Sequence, residues 1–343
     1  MATTTTSRVL TVSRAAIRFA APFRISGYVF EAMPSIVATI EERGAAGRGE
    51  AAGVYYLGDD QDRMLDTVER VRGEIEAGID RIELGGLLPP CGARNALDCA
   101  LWDLEAKLSG VPVWSLAGVP QPQPRITCFT LPADDPATLG ERIGTLNFAR
   151  AIKLKLDGNV DLDRERLAVV RAARPDVWLA VDANQGFAEH DLEALARMVA
   201  DFSVALVEQP VRRGEEAVLA GWKPSALVAA DESILDLTEL HERAELFDVV
   251  NIKLDKCGGL TEALAMAHAA RVLGRNVMVG NMGGSTLAMA PGFVLAQLCD
   301  YIDLDGPFGL AEDPLAEQIY DDGKIFVPEE IWGGTLPKAP VTC

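Results

Sequence analysis

Three acidic residues, Asp182, Glu208 and Asp231, each close a short apolar run: W-L-A-V-D, A-L-V-E and L-V-A-A-D. A strand buried on both faces of a parallel sheet reads as a continuous apolar run, so a charge at its end is a departure that asks for a reason. Any one of the three alone would read as a strand-end residue capping the next helix. Three anions brought side by side repel one another and raise one another's pKa unless a cation neutralises them. Carboxylate oxygens suit a hard cation, Mg²⁺ most simply, with positions left open for a substrate.

Two further runs carry lysines. A-I-K-L-K-L holds Lys153 and Lys155, and N-I-K-L-D-K holds Lys253. An amine near a bound cation has its ammonium form destabilised and becomes a usable base. Two bases on opposite faces of one carbon remove a proton from one side and return it to the other, which is racemase or epimerase chemistry. The metal would stabilise charge developing on a substrate carboxylate as the α-proton leaves. Lys153 is then an electrostatic helper beside that carboxylate. The alternative is a structural ion network in which the lysines only neutralise the acids.

The elements that must position these groups are legible as a rhythm. β-type runs occur at Ile126–Thr130, Ala151–Leu156, Trp178–Asp182, Ala205–Glu208, Leu227–Asp231, Val249–Leu254, Val277–Asn281 and Tyr301–Asp305, one about every 22 to 28 residues. Helical stretches such as Asp161–Ala173, Asp191–Ala200 and Leu260–Leu273 lie between them. Strand–helix alternation at this period marks βαβ units, and eight in succession predict a closed TIM-type barrel. The C-terminal strand ends of such a barrel build the active site. Strands two and six lie opposite each other in the ring, so Lys155 and Lys253 would face across it. Period-2 alternation puts Lys153 with Lys155, and Asp303 with Asp305, on one side of their strands.

The residues before this rhythm read as an α+β unit. Strands are expected around Val9–Phe19 and Ser35–Glu41, with a hairpin turn at Glu42-Arg43-Gly44, and helices over Asp60–Ala77 and Ala93–Ser109. Pro120-Gln-Pro-Gln-Pro124 is a linker. The expected organisation is a capping domain over residues 1–120, a barrel over 121–306, and a tail, 307–343, that has no clear eighth helix and returns to the cap.

The composition narrows the class. Lys and Arg number 32 against 51 Asp and Glu, a net charge of −19. That argues against nucleic acid, whose phosphates demand a basic footprint, and against an anionic membrane. The six cysteines are scattered, with no C-x-x-C pair, which favours a reducing, cytoplasmic setting. No signal peptide or spanning run is apparent.

Taken together, K-L-K at 153–155, D-A-N at 182–184, V-E-Q-P at 207–210, A-D-E-S at 230–233 and N-I-K-L-D-K-C-G-G at 251–259 resemble the enolase superfamily, muconate-lactonizing subgroup. The resemblance spans nearly the whole chain. It implies an α/β fold, a modified (β/α)7β TIM-type barrel under an N-terminal α+β cap, with Mg²⁺ on Asp182, Glu208 and Asp231. Asp303-Leu-Asp305 resembles the D-x-D motif of dipeptide epimerases. Two converging carboxylates would bind the free ammonium of a dipeptide by charge-assisted hydrogen bonds. The resemblance also implies that Thr130 and Asn281 touch the substrate, that Asn184 orients a ligand or a lysine, and that the enzyme assembles as a homo-oligomer. Relatives acting on Ala-Glu carry a cation in the cap near residues 20–30. Here that loop offers Arg24, with Tyr28 or Gly27 where the arginine would sit, which leaves the side-chain preference open.

The expected activity is a dipeptide epimerase. Rivals with the same site are an N-acylamino-acid racemase, o-succinylbenzoate synthase or a cycloisomerase; a Schiff-base aldolase on Lys253 and a non-catalytic binding protein are more distant. Gly258-Gly259 reads equally as an anion-binding amide nest or a tight turn. Tyr55 and Tyr56 either line the mouth of the site or pack on the barrel, with packing favoured. His190, His241 and His268 fall at no strand end, which argues against the superfamily's histidine-using dehydratases.

Overall fold

The computed structural model describes residues 8–25, 28–313 and 315–336, and the side chains of 21–28 lie outside that description. The chain opens with an antiparallel meander of β1 (Val9–Ile25), β2 (Tyr28–Glu42) and β3 (Ala45–Ala51). The β2–β3 turn is at Arg43 and Gly44, with φ of 49° and 81°. Positive φ at both central residues gives the turn whose twist matches the flanking strands. One face of the meander buries Ile36, Ala38 and Ile40 against three helices, Gln61–Ala77, Arg81–Leu87 and Gly92–Ser109. The first two start on Asp60 and Asp80, whose carboxylates accept backbone N–H groups of the opening turn.

β3 lies directly on the third helix. A Cβ on Gly47 would collide with Ala100 O and Leu104 N, and one on Gly49 with Ala96 O. Absence of a side chain at both positions is what permits this approach.

Eight parallel strands follow in sequence order: β5 (Cys128–Leu131), β6 (Ala151–Lys155), β7 (Trp178–Asp182), β8 (Leu206–Glu208), β9 (Leu227–Ala230), β10 (Val249–Lys253), β11 (Asn276–Gly280) and β12 (Tyr301–Ile302). Ala180, Leu206, Ala229, Val249 and Met278 fill the interior, and Trp178 stacks on Tyr301 at 5.4 Å. The ring is thus a packed core with its chemistry at one rim.

The cap strands expected at Val9–Phe19 and Ser35–Glu41 extend to Val9–Ile25 and Tyr28–Glu42, and in the barrel the first and last strands depart furthest from the sequence expectation, for one reason. The run Ile126–Thr130 is divided at Thr127: β4 (Arg125–Ile126) pairs with β14 (Lys324–Ile325), which in turn pairs with β13 (Tyr320–Asp321). Thr127 Oγ1 accepts the Leu304 N–H at 2.9 Å, and Asp305 Oδ2 accepts the Thr130 N–H at 2.6 Å. Side chains rather than a backbone ladder therefore join the first and last strands, and the ladder of β12 stops at Ile302. The tail continues to the cap, where Gly333 N–H donates to Asp103 and Trp332 Nε1 to Arg48 O.

The Gly258-Gly259 turn forms no nest. Both amides donate to Leu254 O. Its carbonyl at Gly258 accepts from Arg94 at 3.0 Å, and Thr261 donates its N–H to Asp98. The segment after β10 is a contact between barrel and cap.

Candidate active site

Asp182 and Glu208 are the last residues of β7 and β8 and are paired in register. Asp231 directly follows β9. One oxygen of each lies within 4.8 Å of the others, and all three residues are buried. The backbone turns sharply after two of them: Asn184, Gln185 and Gln209 have φ of 43°, 65° and 41°. Left-handed backbone at non-glycine residues is costly and persists where surrounding contacts hold it. The Gln209 side chain supplies such contacts, accepting the N–H groups of Asp231 at 3.0 Å and Ser233 at 3.1 Å.

The lysines occupy the space between the acids. Lys155 Nζ is 2.6 Å from Asp182, and Lys253 Nζ is 2.7 Å from Asp231. Their strands are separated by β7, β8 and β9, so the two amines enter from opposite sides of the ring. Lys153 pairs with Asp303 and lies 3.5 Å from Glu208. It therefore bridges the acidic triad and the acids of the last strand.

Burial opposes ionisation of every member of the cluster, and the outcome depends on each one's neighbours. Glu208 is pushed up to about 7 by burial and by Asp182. Burial would raise Asp231 too, but Lys253 and Lys256 hold it well below the usual carboxylate range. Asp182 is lowered, with Lys155 and then Lys153 outweighing its burial. Burial would lower Lys153 and Lys253, yet both are raised, by Asp303 and Glu208 in the first case and Asp231 and Glu208 in the second. A triad of converging, buried carboxylate oxygens fits a divalent cation by donor type and charge.

A cavity of about 280 Å³ opens above these groups. Lys153, Lys155 and Lys253 line it together with Thr130, Asn281, Asp303 and Asp305. Asp182, Glu208 and Asp231 are not themselves among the lining residues and are reached through their contacts with the three lysines. Although β12 has ended, Asp303 and Asp305 both still reach the cavity. Asp303 Oδ1 is buried with no hydrogen-bond partner. Asn281 donates to Asp303 O at 2.7 Å. Asn184 bonds Asp182 through its backbone N–H at 2.9 Å, and its own Oδ1 is buried without a partner. Arg24 and Tyr28 have side chains outside the described residues.

Several contributors escaped the sequence reading. Asn251 donates to Glu208 at 2.7 Å. Lys256 contacts Asp231 at 2.6 Å and also donates to Ile234 O and Asn251 O. Its charge within the buried run after β10 was the available signal. Gly280 on β11 leaves the room these groups need: a Cβ there would sit 2.6 Å from Asn251 Oδ1 and 3.0 Å from Lys253 Cε. Tyr55, expected to pack, lines the cavity with Phe19, Phe30 and Met33 of the cap.

Residues 7–118 match the family model for the mandelate racemase/muconate lactonizing enzyme N-terminal domain, and residues 141–331 match the enolase C-terminal domain-like model. The chain is 37% identical over 280 residues to the L-Ala-D/L-Glu epimerase of Escherichia coli K12, covering 81% of this chain and 87% of that one. It is 38% identical over 253 residues to an N-acetyl-D-glutamate racemase of a Pseudoalteromonas species, covering 74% and 79%. Among solved structures, the dipeptide epimerase of Methylococcus capsulatus complexed with Mg and L-Arg-D-Lys superposes with a TM-score of 0.86 at 28% identity, covering 94% of this chain and 97% of that one.

Proposed function

The chain belongs to the enolase superfamily, in its mandelate racemase/muconate lactonizing enzyme branch, and from that premise we propose that it is a Mg²⁺-dependent dipeptide epimerase, an isomerase inverting the α-carbon of the C-terminal residue. The observation that carries this reading is the pair Asp303 and Asp305 on the same cavity as two opposed lysines, with Asp303 Oδ1 buried and unpartnered. A buried acceptor without a donor is costly, and a substrate ammonium is a donor that fits it.

Asp182, Glu208 and Asp231 would hold the metal, with Asn251 and Gln209 fixing the orientation of Glu208 and Asp231. Bound there, Mg²⁺ would polarise the substrate's terminal carboxylate and offset the negative field that keeps the lysines protonated. Asp303 and Asp305 anchor the dipeptide by its amine at the other end. Held at both ends, the α-carbon is presented to Lys155 on one side and Lys253 on the other. The lysine on the hydrogen's side accepts the α-proton as the free amine. The electron pair is delocalised toward the carboxylate. The opposite lysine, as its ammonium, delivers a proton to the other face. The roles exchange for the opposite epimer. Lys153, between Glu208 and Asp303, bridges and partly neutralises the two acidic groups and serves as an electrostatic helper beside the substrate carboxylate, and Thr130 and Asn281 fix Asp305 and the Asp303 backbone.

The similarity to an N-acetylglutamate racemase makes an acylated amino acid the second reading. Such a substrate has no ammonium and no need of two carboxylates at the last strand. Incubation in D₂O with a dipeptide library and with N-acetyl amino acids separates the two. Dipeptides should gain α-deuterium and epimerise, and Asp303→Asn with Asp305→Asn should lower their kcat/KM by about 10²-fold or more, the scale of a lost charge-assisted pair. Uptake by acetyl amino acids alone, undisturbed by those changes, would replace the dipeptide reading. We further assign the cap to 1–120 and 307–343 and the barrel to 121–306. Cytoplasmic residence is supported by the five free cysteines among the described residues, and a homo-oligomer is checked by its mass in solution.

A further inference from the structure

We propose that the preferred dipeptide carries a bulky apolar N-terminal residue, leucine or an aromatic, and that Phe308 selects it; this rests on the epimerase reading. The ammonium and the first side chain of a dipeptide branch from one carbon. Seating the ammonium on Asp303 and Asp305 therefore aims that side chain at the walls next to them. Asp305 runs straight into Gly306–Gly309, and Thr130, whose N–H bonds Asp305, runs into Leu131 and Pro132.

The cavity continues along Leu131, Pro132 and Phe308 to Arg142, Thr145 and Leu146, which belong to the helix Pro136–Gly144 and the residues just after it. The one cation on that wall among the lining residues, Arg142, has its Nε 2.6 Å from Asp134, and that neighbouring carboxylate offsets its charge and weakens the reward for an acidic side chain. Phe308 packs edge-on against Phe129 at 4.9 Å, yet 42% of it stays exposed. Phe19 of the cap stands over the same segment: a Cβ on Gly309 would meet its ring at 3.6 Å. A large apolar side chain here would cover the Phe308 ring, whereas an alanine methyl would leave it in water.

The test is initial-rate epimerisation with two panels, X-Glu and X-Leu, where X is Gly, Ala, Leu, Phe or Asp. Within whichever panel turns over, kcat/KM should rise about tenfold or more from Ala to Leu or Phe, and Asp should fall below Leu. In Phe308→Ala the Phe-to-Ala ratio should drop at least about fivefold. Phe308→Trp, which fills the space instead of emptying it, should lower the same ratio and guards against a variant that merely misfolds. A wild-type profile that is flat, or that favours Gly and Ala, overturns the inference, as does a ratio unchanged in both variants. These outcomes leave the epimerase reading standing. Absence of α-deuterium uptake with every member of both panels and of the wider library would instead remove that reading, and this inference with it.

Discussion

At the scale of single residues, the two lysines make separable predictions. Lys155 and Lys253 reach one cavity from strands on opposite sides of the ring. Lys155→Ala and Lys253→Ala should each slow epimerisation by about 10³-fold or more. Each should still catalyse α-deuterium exchange into one epimer, and the two variants should choose opposite epimers. Proton NMR of both epimers in D₂O reads this directly; loss of exchange into both from either variant would mean that one lysine does all the proton transfer. Gly280 carries a second prediction. Its missing side chain makes room for Asn251 and Lys253, so Gly280→Ala should lower kcat roughly tenfold by displacing the amine, with little change in the thermal midpoint. The charged strand-end residues were legible because charge violates the apolar pattern of a buried strand. Gly280 was not, because nothing in a sequence marks a glycine that is empty for a neighbour's benefit. Asn251 and Gln209 were equally silent, since their partners are set by which strands become adjacent.

At the scale of elements, the parallel strands were readable from period alone, and the cap was readable where hydrophobic spacing was helical. The limits of that reading fall where a side chain replaces the backbone ladder. Thr127 and Asp305 take over the hydrogen bonds at the seam, so the first strand begins two residues late and the last stops three residues early. Composition cannot reveal such a substitution, because threonine is as much at home within a strand as at its edge. The contact of β3 on the helix Gly92–Ser109 is a further feature hidden from pattern reading and gives a test. Gly47→Ala or Gly49→Ala drives a methyl into the helix backbone and should destabilise the cap by about 1–3 kcal/mol. A lowered urea midpoint would show it. Gly73→Ala, on the exposed side of a helix where a Cβ meets nothing within 4 Å, serves as the control and should be neutral or slightly stabilising.

At the scale of the whole molecule, the buried acids couple metal, pH and stability. Burial, with Asp182 adding to it, raises Glu208 to about 7. Burial, with Asp231 adding to it, raises Glu232 to about 8. Burial raises Asp255, in the barrel–cap contact, to about 7. A carboxyl raised in the folded state binds more protons there than in the unfolded chain. Its contribution is complete below the unfolded value and is lost as pH climbs through the folded one. Asp182 and Asp231 are lowered and give a constant contribution above the ordinary carboxylate range, while Lys153 and Lys253 are raised and change only in strong alkali. Between pH 6 and 8.5 the raised acids therefore set the slope, and it runs downward. Self-repulsion of a chain at −19 runs the same way, but working at about 0.15 M salt screens much of it. With EDTA present, the thermal midpoint should fall by several degrees across that interval. A divalent cation needs Glu208 ionised, so its binding should strengthen over the same range, and saturating Mg²⁺ should flatten or reverse the decline. Differential scanning calorimetry at pH 6.0 and 8.5, with and without Mg²⁺, measures all four corners. A metal-free midpoint that rises with pH would contradict the electrostatics of the cluster, and a Mg²⁺ effect no larger at pH 8.5 than at 6.0 would remove Glu208 from the metal site.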